Sequence, residues 1–387
     1  MRVAMFLLRG LMSAVYFFLK CFPTRSNKLV FLSRQSNAPS DEVRFLFNQL
    51  MAEKPDVQIV AITRRVGSGL RGILEFGAVT LRSMYHLATS SVCLLDAYWP
   101  AVSMLKHKPT LTVIQMWHAM GKIKKSGYQS LGKQYGRGRS IAKGMRMHRG
   151  YDVVIAGAEA FNPSYCAAFG IEESKLYNVG LPRMDMLREN GEANRRRFFR
   201  NYPELKGKHI VLYAPTFRKG QLLDPTELVK AFHFDENRAL VIKKHPNQLL
   251  AEKDYGEAVI CHDLPPAVVL SACDCVITDY GAITIEAAVI KKPVYFYMYD
   301  YEEYISRNGL NLDPHDEFPD SVFDNAQELV RAIEDGGYDF DHYERFRKKY
   351  LPDPAKGRAT DKITRLIVNC MEKGKDEALK ERAAVQA

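Results

Sequence analysis

The chain has no uninterrupted apolar run of the ~20 residues that a bilayer-spanning helix needs. Met1 to Pro23 comes nearest, but Arg2, Arg9 and Lys20 interrupt it. No small-residue cleavage site follows, which counts against a secretory signal. Cysteine is sparse and scattered: of seven residues only Cys273 and Cys275 lie close, as C-D-C. That spacing is neither a zinc framework nor a redox C-x-x-C pair, so reduced thiols in a cytosolic setting are expected. No cluster of Asp and Glu announces a metal site, and no metal ion or other cofactor is expected. Internal repeats and low-complexity segments are absent. The formal net charge of +10 asks for an acidic partner. The basic residues are spread along the chain without an RNA- or DNA-binding motif, which argues against nucleic acid. An anionic membrane surface is the remaining candidate.

What is present reads as an ordinary globular protein, with 47% hydrophobic and 26% charged residues. A length of 387 residues exceeds what one core usually organises, so two domains are expected. Short apolar runs at Lys28–Ser33, Val57–Thr63, Val92–Leu95 and Leu111–Met116 read as strands, with helix-like stretches at Asp41–Lys54 and Leu70–Ser90. A second series follows at His209–Ala214, Ala239–Lys244, Ala258–Cys261, Cys275–Thr278 and Pro293–Tyr299. Polar, charge-rich Arg188–Lys208 separates the two as a hinge. The pattern predicts an α/β protein of two Rossmann-like domains facing a cleft, with parallel sheets wrapped by helices. The domains are expected at 24–190 and 191–355, preceded by an apolar helix (1–23) and followed by a closing helix (356–387) divided at Gly374.

The N-terminal segment is expected to lie in the membrane interface, its cations meeting lipid phosphates. The alternative is a first helix buried in the N-terminal domain. The basic stretch Lys133–Arg149 extends that footprint, binds a pyrophosphate-linked lipid, or is a solvated face.

The stretch Cys275–Asp300 is the most telling. An apolar run ends in Thr278-Asp279-Tyr280-Gly281-Ala282, continues as a helix through Lys291 and returns to a strand. Ligands of open α/β sheets bind beyond the C-terminal strand ends, where free N–H groups favour anions. A nucleotide or phosphate donor is therefore expected. His118 and His245 each follow an apolar run, so both fall at strand ends. Histidine is the side chain best placed for proton transfer near neutral pH. Pro246 restricts His245 to extended geometry.

Trp117-His118-Ala119-Met120-Gly121 followed by Lys122, Lys124 and Lys125 is one of five separated motifs. Gly180-Leu181-Pro182-Arg183-Met184-Asp185, Tyr213-Ala214-Pro215-Thr216-Phe217-Arg218, Lys243-Lys244-His245-Pro246 and the Thr278-Asp279-Tyr280 turn follow in order. Together they resemble the CDP-glycerol glycerophosphotransferases of wall teichoic acid synthesis, over roughly residues 110 to 315. The resemblance implies the glycosyltransferase-B architecture and His118 as general base on an acceptor hydroxyl. It implies a part for His245 in catalysis or phosphate contact. It assigns donor contacts to Trp117, Ala119, Met120, Gly121, Arg183, Pro215, Thr216, Lys243, Lys244, Gly281, Ala282 and Glu286.

Gly281, Ala282 and Glu286 stand where the resembled family usually has Ser, Ser and Asp, and Ala119 replaces a usual glycine. The implied partners are CDP-glycerol and an undecaprenyl-diphosphate-linked ManNAc-GlcNAc disaccharide, at the cytoplasmic face of a bacterial membrane. The size suits a primase; a polymerase or a ribitol-phosphate transferase of the same family stays open. So do a sugar-nucleotide epimerase or glycosyltransferase and, given Gly281 and Ala282, a non-catalytic partner in envelope assembly.

Overall fold

A computed structural model describes residues 2–65, 67, 69–134 and 136–386. Met1, Tyr135 and Ala387, which fall in three of the segments singled out above, lie outside them. Twelve strands among the described residues build two six-stranded sheets, every pairing parallel. The first sheet comprises β1 (Arg25–Ser33), β2 (Gln58–Thr63), β3 (Ser90–Leu95), β4 (Thr112–Gln115), β5 (Val153–Ala156) and β6 (Leu176–Asn178), in the order β2-β1-β3-β4-β5-β6. The second comprises β7 (His209–Tyr213), β8 (Arg238–Ile242), β9 (Val259–Ile260), β10 (Cys275–Thr278), β11 (Val294–Tyr297) and β12 (Val322–Phe323), in the order β12-β11-β10-β7-β8-β9. Both orders reverse direction part-way across the sheet, the topology that leaves strand ends open to ligands.

Each sheet anchors its own compact unit. The first unit comprises 2–119, 126–183 and 352–386 of the described residues; the second comprises 120–125 and 184–351. Central strands β3, β4, β5 and β10 are buried along their whole length, as parallel strands covered on both faces must be. The strands β5, β6 and β12 were not expected from the sequence.

Two local expectations need correction. The polar segment read as a hinge contains a helix, Gly191–Asn201, packed on the helix Pro266–Ala272. Its charges mask one fully buried anchor, Phe198, and Asn194 and Arg195 bond Ser271 and the Ala272 carbonyl across the contact. The helix after β10 stops at Val289, short of Lys291. Lys291 has a φ of +59°, and the Lys292 N–H bonds the Ala287 carbonyl while that of Lys291 bonds Ala288. This is a Schellman cap with lysine in the left-handed position, and Pro293 follows it. The C-terminal residues form two helices, Ala359–Glu372 and Lys375–Gln386, turning at Gly374 with φ +82°.

Helix α1 (Arg2–Leu19) packs in the first unit against α3 (Gly69–Thr89), while α2 (Asp41–Glu53) lies between β1 and β2 in sequence. Apolar positions 43, 46, 47 and 50 bury one face of α2, and Asp41 and Glu42 in its first turn suit the helix dipole. Of the α1 side chains whose burial is described, Met12 and Tyr16 are the buried ones; Phe6, Leu7, Leu11, Phe17 and Phe18 are 63–69% exposed. Leu74 and Leu81 of α3 are exposed as well. No helix among the described residues is long and apolar enough to cross a membrane.

Tyr16 fixes α1 through a polar contact. The His107 Nε2–H donates to the Val102 carbonyl at 2.9 Å, so Nδ1 is the acceptor for the Tyr16 hydroxyl at 2.8 Å. Burial pushes the His107 pKa down, which favours this neutral ring. Tyr16→Phe keeps the ring packing but leaves Nδ1 without its donor. It should cost about 1–2 kcal/mol, read as a lower urea midpoint at unchanged slope. An unmoved midpoint would mean the hydroxyl contributes nothing to docking α1.

Candidate functional site

In the first unit, functional side chains collect where β1, β3 and β4 end. Trp117 follows β4 with a φ of +62°, a conformation held by its N–H on the Gln115 side-chain oxygen at 2.8 Å. This turn directs the half-buried His118 back toward β3, where its Nδ1 lies 2.8 Å from the Asp96 carbonyl. A carbonyl only accepts, so Nδ1 carries the hydrogen and Nε2 is the basic nitrogen. The Trp117 and His118 rings lie 4.3 Å apart, and Trp117 meets Phe169 edge-on at 5.1 Å. Arg183 donates from Nε to the buried Glu42 carboxylate at 2.6 Å.

In the second unit, the ends of β7, β10 and β11 are tied by Arg218. Its guanidinium donates to Asp300 at 2.5 and 2.8 Å, to Asp279 at 2.8 Å and to the Thr216 carbonyl at 2.9 Å. Burial opposes the charge, but Asp279 and Asp300 outweigh it and hold the guanidinium pKa above its usual value. Asp279 also accepts the N–H groups of Thr216 and Tyr280. Tyr280 stacks on Tyr304 at 3.7 Å and donates to Asp300. These bonds set the Thr278–Ala282 turn, where a Cβ at Gly281 would meet Thr278 Oγ1 at 3.0 Å and Thr216 Oγ1 at 3.5 Å.

His245, exposed after β8, has the opposite ring form from His118. Its Nδ1 accepts the Asn247 main-chain N–H at 3.2 Å, so Nε2 carries the hydrogen. Its ring lies 5.5 Å from that of Phe217. The Lys243 ammonium donates to the Cys261 and His262 carbonyls, and that of Lys244 to the Gln248 carbonyl. Both lysines thus brace loops at the end of β8. Pro215 and Thr216 are buried beside Asp279, and Glu286 is buried in the helix Ile283–Val289.

The Trp117–Gly121 motif is divided between the units. Trp117, His118 and Ala119 belong to the first, whereas Met120 and Gly121 open the segment 120–125 of the second. Asn311 holds that segment, its N–H on the Ile123 carbonyl at 2.7 Å and its amide on the Lys122 carbonyl at 2.9 Å. Burial lowers the pKa of Lys124; Asp279 opposes the shift and Arg218 adds to it.

The sequence-predicted residues therefore form two groups: Trp117, His118, Ala119 and Arg183 in the first unit, and the remainder in the second. Sequence reasoning gave no role to Asp96, Glu42 or Gln35, nor to Arg218 and Asp300. Arg218 closes a motif already singled out and Asp300 closes the β11 run, but a separation of 82 residues hides their pairing. Arg218→Leu leaves the buried Asp279 and the partly buried Asp300 without their cation. It should destabilise the protein by about 3–5 kcal/mol in denaturant unfolding. A loss below about 1 kcal/mol, the scale of an exposed pair, would mean the network does not hold the strand ends.

The profile of the CDP-glycerol:poly(glycerophosphate) glycerophosphotransferase family matches residues 14–369. A teichoic acid ribitol-phosphate primase of Bacillus spizizenii is 28% identical over 385 residues, covering 96% of this chain and 98% of that protein. The teichoic acid glycerol-phosphate primase of Bacillus subtilis is 27% identical over 264 residues, 66% of this chain and 68% of that protein. Among solved structures, the wall teichoic acid polymerase TagF has the same fold, with a TM-score of 0.74 at 17% identity over 96% of each chain. With nearly its whole length matched, the chain belongs to the CDP-glycerol:poly(glycerophosphate) glycerophosphotransferase family.

Proposed function

We propose that this protein transfers a polyol phosphate from a CDP-linked donor to a lipid-linked acceptor in teichoic acid synthesis, releasing CMP. CDP-glycerol is the donor in this reading, and the undecaprenyl-diphosphate-linked ManNAc-GlcNAc disaccharide or a growing glycerol-phosphate chain is the acceptor. One observation carries the proposal: the two strand-end histidines have opposite ring forms. His118 offers a basic Nε2, suited to taking a proton from an acceptor hydroxyl. His245 offers an Nε2–H, suited to hydrogen-bonding a phosphate oxygen.

The acceptor oxygen attacks the phosphorus nearest the glycerol and forms the new O–P bond. The bond from that phosphorus to the bridging oxygen breaks, and CMP leaves with the electron pair. The acceptor proton passes to His118 Nε2. His245, Thr216 and the N–H groups of the turn at Gly281 and Ala282 steady the negative charge, and Glu286 grips a hydroxyl of the donor. Pro215, Lys243 and Lys244 shape the donor site, the lysines through the loops they brace. Arg183 serves from the first unit, where Glu42 orients it. Trp117, Ala119, Met120 and Gly121 position the histidine and line its approach. Phosphoryl transfer of this kind depends mainly on positioning and charge neutralisation.

The membrane supplies the acceptor and is approached by the exposed apolar faces of α1 and α3. Their aromatic and aliphatic side chains enter the interface, and Arg9, Lys20 and Arg82 meet anionic headgroups at the cytoplasmic face. A second reading, transfer of ribitol phosphate from CDP-ribitol, draws support from the end-to-end similarity to the B. spizizenii ribitol-phosphate primase.

The test is CMP release by the detergent-purified protein with each CDP-polyol, with and without a disaccharide-lipid analogue. Acceptor-dependent release should fall about 10²–10⁴-fold in His118→Ala, the usual contribution of a general base. It should fall roughly 10²-fold in His245→Ala, as for loss of a charge-stabilising donor. Release from CDP-ribitol alone selects the second reading. No release from either donor sinks the transferase proposal.

A further inference from the structure

Arg34, just after β1, and Arg137, just before the helix Arg139–Gly144, share one aromatic ring. Their guanidinium carbons lie 5.6 and 5.1 Å from the centroid of the Tyr98 ring. Tyr98 follows β3 and is buried, and its hydroxyl donates to the Met145 carbonyl at 2.8 Å. The ring is therefore a fixed platform. A cation over a ring face is held in place, yet its N–H groups still need acceptors. Among the described residues, neither guanidinium has a hydrogen bond or an ion pair.

Both side chains are half-buried. Asp96 favours the Arg34 charge without pairing with it, while burial first and then the like charge of Arg137 lower Arg34 to about 10. Both arginines stay charged near neutral pH. Two neighbouring cations, partly withdrawn from water and without a counterion, carry a cost that a bound anion relieves. Guanidinium forks match phosphate oxygens, and two forks match the two phosphates of a diphosphate.

The surroundings of the pair lead to two places in the first unit. One is the corner that holds His118. Gln35, next to Arg34, has its side chain beside the His118 ring. The Tyr98 ring meets His148 at 5.8 Å, and His148 meets Trp117 at 6.2 Å. The other place is α1. The helix Arg139–Gly144 packs on α1, with Gly144 against Met5, and α1 carries the exposed Phe6, Leu7 and Leu11. A lipid-linked acceptor has its parts in the same order: an apolar tail, a diphosphate, then the sugar whose hydroxyl reacts.

We propose that Arg34 and Arg137 form a diphosphate site on Tyr98, taking the anion that joins the apolar tail of the acceptor to the sugar presented to His118. This assignment rests on the lipid-linked transfer proposed above, but diphosphate binding is measured without turnover. The other source of such an anion is the headgroup layer of bulk phospholipid, which is the part given to Arg9, Lys20 and Arg82.

Farnesyl diphosphate is the binding probe for the full chain in detergent, with CDP present to fill the donor site. Its Kd should rise about tenfold or more in Arg34→Gln and in Arg137→Gln. Lysine at either position should recover only part of the loss, because an ammonium has no fork. An unmoved Kd in both glutamine variants overturns the site. Arg34→Gln removes an unpaired cation, so its Tm should equal or exceed that of wild type. A lowered Tm with farnesyl diphosphate binding intact makes Arg34 a packing residue and overturns its part. Arg137 lies in a loop, and its variant carries the test if Arg34→Gln does not fold. Binding to phosphatidylglycerol vesicles should be the same in wild type and variants. A loss there with the farnesyl diphosphate Kd unmoved assigns the pair to bulk headgroups and overturns the diphosphate site.

In acceptor-dependent CMP release, both glutamine variants should raise the KM for the disaccharide-diphosphate lipid analogue about tenfold or more, with the donor KM unmoved. An analogue with a neutral linker in place of the diphosphate should serve wild type and variants equally. An equal loss on both analogues overturns the assignment. If wild type releases no CMP from either donor, the transferase reading fails, while farnesyl diphosphate binding still decides the arginine site.

Discussion

One buried guanidinium holds the working end of the second unit together. Parallel strands deliver their C-terminal ends to one edge of a sheet, but those ends are loops, which carry no ladder of their own. Arg218 supplies the missing ties by bonding Asp279 after β10, Asp300 after β11 and the Thr216 carbonyl after β7. Asp279 then has one lobe for the Thr216 and Tyr280 N–H groups, which sets the turn at Gly281. Arginine suits this place because its planar fork serves several acceptors at once and stays charged when buried. Lysine, a single point charge, could not hold both carboxylates in one geometry.

The first unit solves the same problem without a central cation. Its strand ends are joined by main-chain contacts: the Asp96 carbonyl accepts the His118 Nδ1 hydrogen, and Ser33 Oγ accepts the Gln35 N–H. The charged pair Arg183–Glu42 stands beside them. This difference accounts for the different ring forms of the two histidines. A carbonyl behind His118 demands a hydrogen at Nδ1, whereas an N–H behind His245 demands a lone pair there. The main chain at two strand ends thus decides which ring nitrogen carries the hydrogen.

The layout of both sheets was legible because central parallel strands are continuous apolar runs, and β1, β3, β7, β8 and β10 announce themselves in that way. The placement of His118 and His245 at strand ends followed directly. The strands β5, β6 and β12 were not picked out, and Gly191–Asn201 looked like a hinge because seven polar neighbours conceal Phe198, its buried anchor. The partners of the site residues were not legible at all. Glu42 and Arg183 are 141 positions apart and Arg218 and Asp300 are 82 apart. No local pattern records a contact made by folding. The two lysines of Lys243-Lys244 show the converse: a charged motif suggested phosphate, yet both ammonium groups close loops on carbonyls.

The departure at Gly281 has a steric explanation in this chain. Thr278 Oγ1 donates to the Ala214 carbonyl at 2.8 Å, which pins the hydroxyl against the turn. A Cβ at position 281 would lie 3.0 Å from that oxygen, closer than ordinary contact, with Thr216 Oγ1 at 3.5 Å. Serine at 281 would therefore require Thr278 to give by a few tenths of an ångström against its bond to Ala214. Glycine removes the conflict and leaves the turn lined by two threonine hydroxyls from neighbouring strand ends. Of these, Thr278 is committed to Ala214, whereas the buried Thr216 Oγ1 has no hydrogen-bond partner in the structure. A hydroxyl beside the turn is thus retained by the chain, carried by the end of β7 instead of by the turn itself.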